Sequence, residues 1–281
     1  MTSAASSSEA ARARPGLLQS GVVWAIAIAW LLAIVAEATG RGRLLHHDAL
    51  AHSHLPLWAV LGLFLLAWQF MIAAMMLPSS LPLIRLFNRV AAGQPRPMQS
   101  KLAFLGGYAV VWSVFGVAAM VGDLQLHELV ERWPWLDEHH QVIAGSVLVM
   151  AGAFQFSSLK DRCLTVCRSP GLYIMQYYRR GVRAALNIGV RHGLFCMGCC
   201  WALMLVGFAA GVANLWWMAA LTAVMVFEKT APGGDRAVKP IGLGFDRIGH
   251  AGAFRPAGRR RTELGLADAA TRSHAGDRYL E

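Results

Sequence analysis

Apolar positions gather in six blocks, at 21–38, 57–77, 102–121, 142–159, 184–212 and 215–227, and the intervals between them hold the charge. Most of these blocks approach the roughly 20 residues that a helix needs to cross a bilayer. The pattern therefore predicts an all-α polytopic transmembrane helix bundle of about six spans. The fourth and sixth blocks are short for a crossing. Arg191 and His192 interrupt the fifth, so its membrane part is expected to start near Gly193. The polar stretch before the first block leads to no nearby small-residue cleavage site, so that block reads as a retained helix.

Composition agrees. Residues A, V, I, L, M, F, W, Y and C make up 56% of the 281 positions, and the mean hydropathy is +0.44. An average soluble domain holds roughly 45–50% even with glycine counted. The net charge of +10 is distributed unevenly. Of 26 Lys and Arg, all but Arg41, Arg43 and Arg132 fall in 1–20, 79–101, 160–191 or the tail from Lys229. The 122–141 interval instead carries Asp123, Glu128, Glu131, Asp137 and Glu138. Because Lys/Arg-rich loops stay on the cytoplasmic side, this alternation predicts both termini inside, with six crossings of a multi-pass membrane protein. The basic residues sit where anionic lipid headgroups attract them, so no nucleic-acid partner is implied.

Three regions follow: a disordered segment 1–20, a transmembrane helical domain 21–229 and a polar flexible cytoplasmic tail 230–281. Pro78 suits a helix stop, and Trp58, Trp68, Trp133 and Trp135 suit the aromatic belts of membrane edges. The first outer loop is rich in histidine, with His46, His47, His52 and His54 around Asp48.

The chemistry lies in five cysteines. Cys196, Cys199 and Cys200 stand at i, i+3 and i+4, so one turn of one helical face carries all three thiols. Cys163 and Cys167 lie in the segment expected to be a loop after the fourth crossing. With the crossings oriented as above, Met75 and Met76, Met150 and Gln155, His192 and Glu228 come to the same inner depth. Cys200 lies roughly 10 Å below the start of its membrane segment at 1.5 Å per residue. Thiols in a reducing compartment bind metal or cycle redox states more often than they form structural bridges. Thiolate and thioether donors favour Cu(I), and Zn(II) becomes feasible when His or carboxylate joins. The bland alternatives are concrete: buried cysteine is ordinary packing, methionine is common membrane filler, and Glu228 is a helix-end residue paired with a loop arginine.

Three motifs resemble a known family. They are the Trp68-Gln-Phe-Met71-Ile-Ala-Ala-Met75-Met76-Leu-Pro78 run, the stretch from Ala151 through Cys163 and Cys167 to Pro170, and Gly193-Leu-Phe-Cys196-Met-Gly-Cys199-Cys200-Trp201. Together with Glu228-Lys229 they resemble DUF2182, bacterial membrane proteins regarded as metal-binding and in part copper-related. The resemblance covers about 55–229. It implies a metal site but no defined reaction, and the polar stretch after Lys229 departs from the further apolar segment expected of the family.

The leading expectation is a membrane protein that sequesters or hands on copper. Its ligands are Cys196, Cys199 and Cys200, supported by Cys163, Cys167, Met75 and Met76, with His192 and Glu228 as further candidates. Lipid surrounds it, and a metal donor or acceptor protein is the implied partner. Two alternatives stand beside this: a metal-ion transporter gathering ions through the histidine loop, and a thiol–disulfide redox protein. No catalytic residue is assigned.

Overall fold

The computed structural model describes residues 17–39, 56–133, 135–136, 139–209 and 214–253. The histidine-rich loop and residues 254–281 lie outside the described residues. Ten helices are present among them and no strand. In chain order they are α1 (Leu17–Ala38), α2 (Leu57–Met75), α3 (Leu77–Ala91), α4 (Pro97–Arg132) and α5 (His140–Phe154), then α6 (Ser158–Arg168), α7 (Pro170–Tyr177), α8 (Val182–Ala209), α9 (Leu215–Thr230) and α10 (Gly234–Ala253).

Four helices are long and apolar enough to cross a membrane, in α1, α2, α4 and α8. A fifth crossing arises if α5 and α6, bent by 65° at their junction, form one broken span. Six crossings are thus not reached by helix length and composition among the described residues. The reason is length: α9 has 16 residues and rises only about 24 Å, short of the roughly 30 Å hydrocarbon core. The fourth block also stops early, at Phe154, before the bend at Gln155.

Several segments expected to be loops are helical. Cys163 and Cys167 stand on α6, whose first turn is capped by Ser157 accepting from the Lys160 N–H at 3.2 Å. The acidic stretch after the third block continues α4 as far as Arg132. Pro78 marks a break and not an end: α2 closes at Met75, and α3 starts at Leu77 with proline in its first turn. Where a flexible tail is expected from 230, Gly234–Ala253 forms α10. Val238 and Phe245 are buried on it, on the face that also carries Gly234, Gly242 and Gly249. That narrow stripe of small and apolar residues is easily hidden in a polar composition.

Glycine sets the two tightest helix crossings. A Cβ at Gly189 of α8 would collide with the Phe104 backbone of α4, and one at Gly107 would meet the Leu186 carbonyl and, at 2.9 Å, the Val190 nitrogen. One at Gly193 would lie 2.9 Å from Val111. These contacts climb both helices together, so α4 and α8 run parallel. On α5 and α10 the order reverses: Gly152 meets Gly242 and Gly145 meets Gly249, an antiparallel pair. Backbones approach this closely only where side chains are missing.

Trp68 and Gln69 of α2 find hydrogen-bond partners on α4. Trp68 Nε1 donates to the Trp112 carbonyl at 2.7 Å, and Gln69 donates to Ser113 Oγ at 2.7 Å. Trp68 is therefore a core residue and not part of a belt, whereas Trp58, Trp133 and Trp135 are exposed. Two adjacent glycines give a sharp test. Gly107→Ala should lower the thermal midpoint in detergent, since Leu186 and Val190 cannot yield without moving α8. Gly106 has open space, so Gly106→Ala should raise stability by about 0.5–1 kcal/mol. Equal effects from both would refute the close crossing.

Candidate metal centre

The break between α2 and α3 places Met76 where its side chain is wholly buried against α8. Its Sδ lies 3.6 Å from Cys200 Sγ. On α8 the helical spacing holds: Cys196, Cys199 and Cys200 are each at most 1% exposed. The Cys199 and Cys200 thiols both donate back to the Cys196 carbonyl, at 3.1 and 2.8 Å. From α6, Cys167 interacts with Cys199 through their thiols. Cys163 Sγ rests against Gly198, close enough that a Cβ there would lie 2.6 Å from it. Five thiols and one thioether from three parts of the chain thus share one layer of the core, where Met75 is also buried.

Lys229 is the residue that spacing did not single out. It is 6% exposed at the end of α9, and its Nζ lies 3.2 Å from Cys196 Sγ, 3.8 Å from Cys200 Sγ and 3.2 Å from Ser79 Oγ. Three acceptors match the three N–H groups of an ammonium. A lysine that follows an apolar run usually extends its stem to the interface. Only the packing of α9 against α3 and α8 turns this one inward. Tyr108 of α4 completes the surround, with its hydroxyl 3.2 Å from Cys196 Sγ.

The other candidates are committed elsewhere. Glu228 pairs with Lys160 at 2.7 Å, both fully or nearly fully buried, and accepts from Gln155 at 3.2 Å. Gln155 thus serves the carboxylate. Arg168 caps the same helix end, donating to the carbonyls of Glu228 and, at 3.1 Å, Ala231. His192 is 3.2 Å from Ser80 Oγ and stacks on Tyr108 with centroids 5.4 Å apart. Met150 is exposed. Beneath α8, burial pushes the Tyr173 phenol up, so it stays protonated and donates to the Ile188 carbonyl at 2.8 Å.

Among the described residues, no three His, Cys, Asp or Glu side chains stand as a ready ligand shell. The ammonium of Lys229 lies instead against both Cys196 and Cys200. What the arrangement offers chemically is a soft, water-excluded donor set whose counter-charge is a side chain. Sulfur of this kind suits a monovalent soft cation.

Comparison with known families bears on this donor set. Residues 65–251, more than half of the chain, match the family model described as PpoB2, copper chaperone. The chain belongs to that family. DUF2182, to which the motifs pointed, gave no match, but the copper association is common to both readings. No curated protein and no solved structure matches the chain. The matched region of the copper chaperone family starts within α2 and ends within α10, so it includes every residue of the sulfur layer and of the Lys160–Glu228 pair.

The buried pair yields a prediction. Lys160→Met leaves a carboxylate unpaired in the core and should cost about 3–5 kcal/mol, read as a lower thermal midpoint in detergent. Adding Glu228→Gln should recover most of that loss. A double variant no more stable than the single would show that the pairing does not hold α6 to α9.

Proposed function

We propose that this chain is a multi-pass protein of the bacterial inner membrane, with both termini cytoplasmic, that takes up Cu(I) as cargo and passes it on. Cys196, Cys199 and Cys200 bond the ion, Met76 and Cys167 extend the donor set, and Cys163 and Met75 flank it. The observation that carries this reading is the convergence of five thiols and the Met76 thioether in one buried layer. Membership in a family described as copper chaperones supports it.

The remaining donors favour copper over zinc. Zinc sites built with few thiolates draw on His or carboxylate. Here His192 faces Ser80 and Glu228 is held by Lys160, so sulfur alone remains. The Met76 thioether beside Cys200 lies outside the Cys, His and carboxylate donors of zinc sites and suits Cu(I). Copper and the Lys229 ammonium cannot share the place between Cys196 and Cys200. The ion therefore takes over the single positive charge there, and Lys229 withdraws. The thiol protons that Cys199 and Cys200 donate to the Cys196 carbonyl leave as those sulfurs bond the ion.

A thiol–disulfide role stands as the second reading, because Cys167 and Cys199 interact directly. Thiol trapping separates the two. A chaperone keeps all five thiols reduced through a copper cycle, whereas a redox protein accumulates a Cys167–Cys199 bridge.

Purified full-length protein loaded anaerobically with Cu(I) should retain copper after a challenge with a weak chelator. The Cys196→Ser, Cys199→Ser, Cys200→Ser triple variant should retain none. Met76→Leu, which keeps the packing volume, should weaken binding about tenfold, or about 1.4 kcal/mol. Equal copper on the wild type and the triple variant would end this assignment.

A further inference from the structure

One thiol of the sulfur layer also faces a groove. Cys163 of α6 lines a space of about 540 Å³, whose other wall is Asn187, Val190, Arg191, Leu194 and Phe195 of α8. Those five positions follow the i, i+3, i+4, i+7, i+8 spacing of one helical face. The space is an open groove and not an enclosed cavity. Arg191 stands exposed at the rim. Its Nε donates to Asn187 Oδ1 at 3.1 Å and its guanidinium lies 5.2 Å over the Tyr177 ring, which orients it and leaves its other N–H groups free of these contacts. Among the described residues, no acidic one lines this groove. On the opposite side, Cys163 Sγ packs against Gly198, between Met197 and Cys199. A small residue at 198 is what lets this thiol reach the sulfur layer.

We infer that the groove between α6 and α8 is the port through which copper arrives as an anionic, low-molecular-mass Cu(I)–thiolate complex, with Arg191 receiving its negative charge and Cys163 bonding the metal first. The inference rests on the copper-handling role proposed above and names how that site is loaded. Cytosolic thiols of low mass such as glutathione carry carboxylates, for which the planar guanidinium is the matching donor. At the port, the Cys163 sulfur forms a bond to Cu(I) as one bond from Cu(I) to the carrier sulfur breaks. The departing carrier thiolate takes up the proton that Cys163 gives up. Copper stays monovalent throughout, so no oxidant or reductant is needed. A second exchange of the same kind passes the ion across Gly198 to Cys199.

The test is anaerobic stopped-flow loading of the full-length protein in detergent from two probes, the glutathione complex of Cu(I) and the cationic acetonitrile complex. Cys163→Ser should load from the glutathione complex at least about tenfold more slowly than wild type, and Arg191→Glu should lose a similar factor through reversed steering. Arg191 is exposed, so its variant reports even if Cys163→Ser fails to fold. Added salt should slow the wild type with the glutathione complex, and Arg191→Glu should show no slowing with the acetonitrile complex. Wild-type loading rates in both variants from the glutathione complex would overturn the port. Equal slowing of Arg191→Glu with both probes would overturn the charge recognition. A wild type that holds no copper from either probe would instead remove the proposed function itself.

Discussion

The ammonium of Lys229, buried against the thiols of Cys196 and Cys200, is the constraint around which this bundle is arranged. A lone ammonium in an apolar interior costs several kcal/mol, so its surroundings must supply three acceptors at once. They come from two helices, with Ser79 on α3 and the two cysteines on α8. That requirement holds α3 and α8 against the end of α9. The neighbouring Glu228, facing the other way, is neutralised by Lys160 of α6. Two consecutive residues of one helix thus tie together α3, α6, α8 and α9 through opposite charges, and the sulfur layer lies between them.

Close packing makes that layer possible. Gly107, Gly189 and Gly193 bring α4 and α8 into backbone contact, which sets Tyr108 and His192 face to face and seals the turn below Cys196. Gly198 does the same on the other side of α8, where it admits Cys163. Helix α8 is therefore thin on two faces and carries its thiols at the centre. A dry sulfur site of this kind strengthens every electrostatic contact within it, so a cation of the right softness is held by few donors.

Much of this was legible in the chain. The i, i+3, i+4 thiols, the depth shared by Met76 and the cysteines, and the helical class all follow from periodicity and span length, which depend on local geometry alone. What was not legible depended on tertiary packing. Lys229 looks like an ordinary helix-end lysine until α3 and α8 are set beside it. Glu228 and His192 have the chemistry of ligands, but which partner they choose is decided by Lys160 and Ser80, far away in the chain. Helix α10 escaped notice because its buried stripe is glycine, valine and phenylalanine among charges, and Gly242 and Gly249 reveal their purpose only against Gly152 and Gly145. Trp68 was misplaced for the same reason: its indole N–H finds a buried carbonyl that no sequence window displays.

A copper site assembled from sulfur alone is the central claim, and X-ray absorption at the copper K-edge of the loaded protein tests it most directly. The account predicts a monovalent edge and a nearest shell made only of sulfur. A nearest shell containing nitrogen or oxygen from imidazole or carboxylate would contradict it, because His192 and Glu228 would then have left Ser80 and Lys160 to bind the metal.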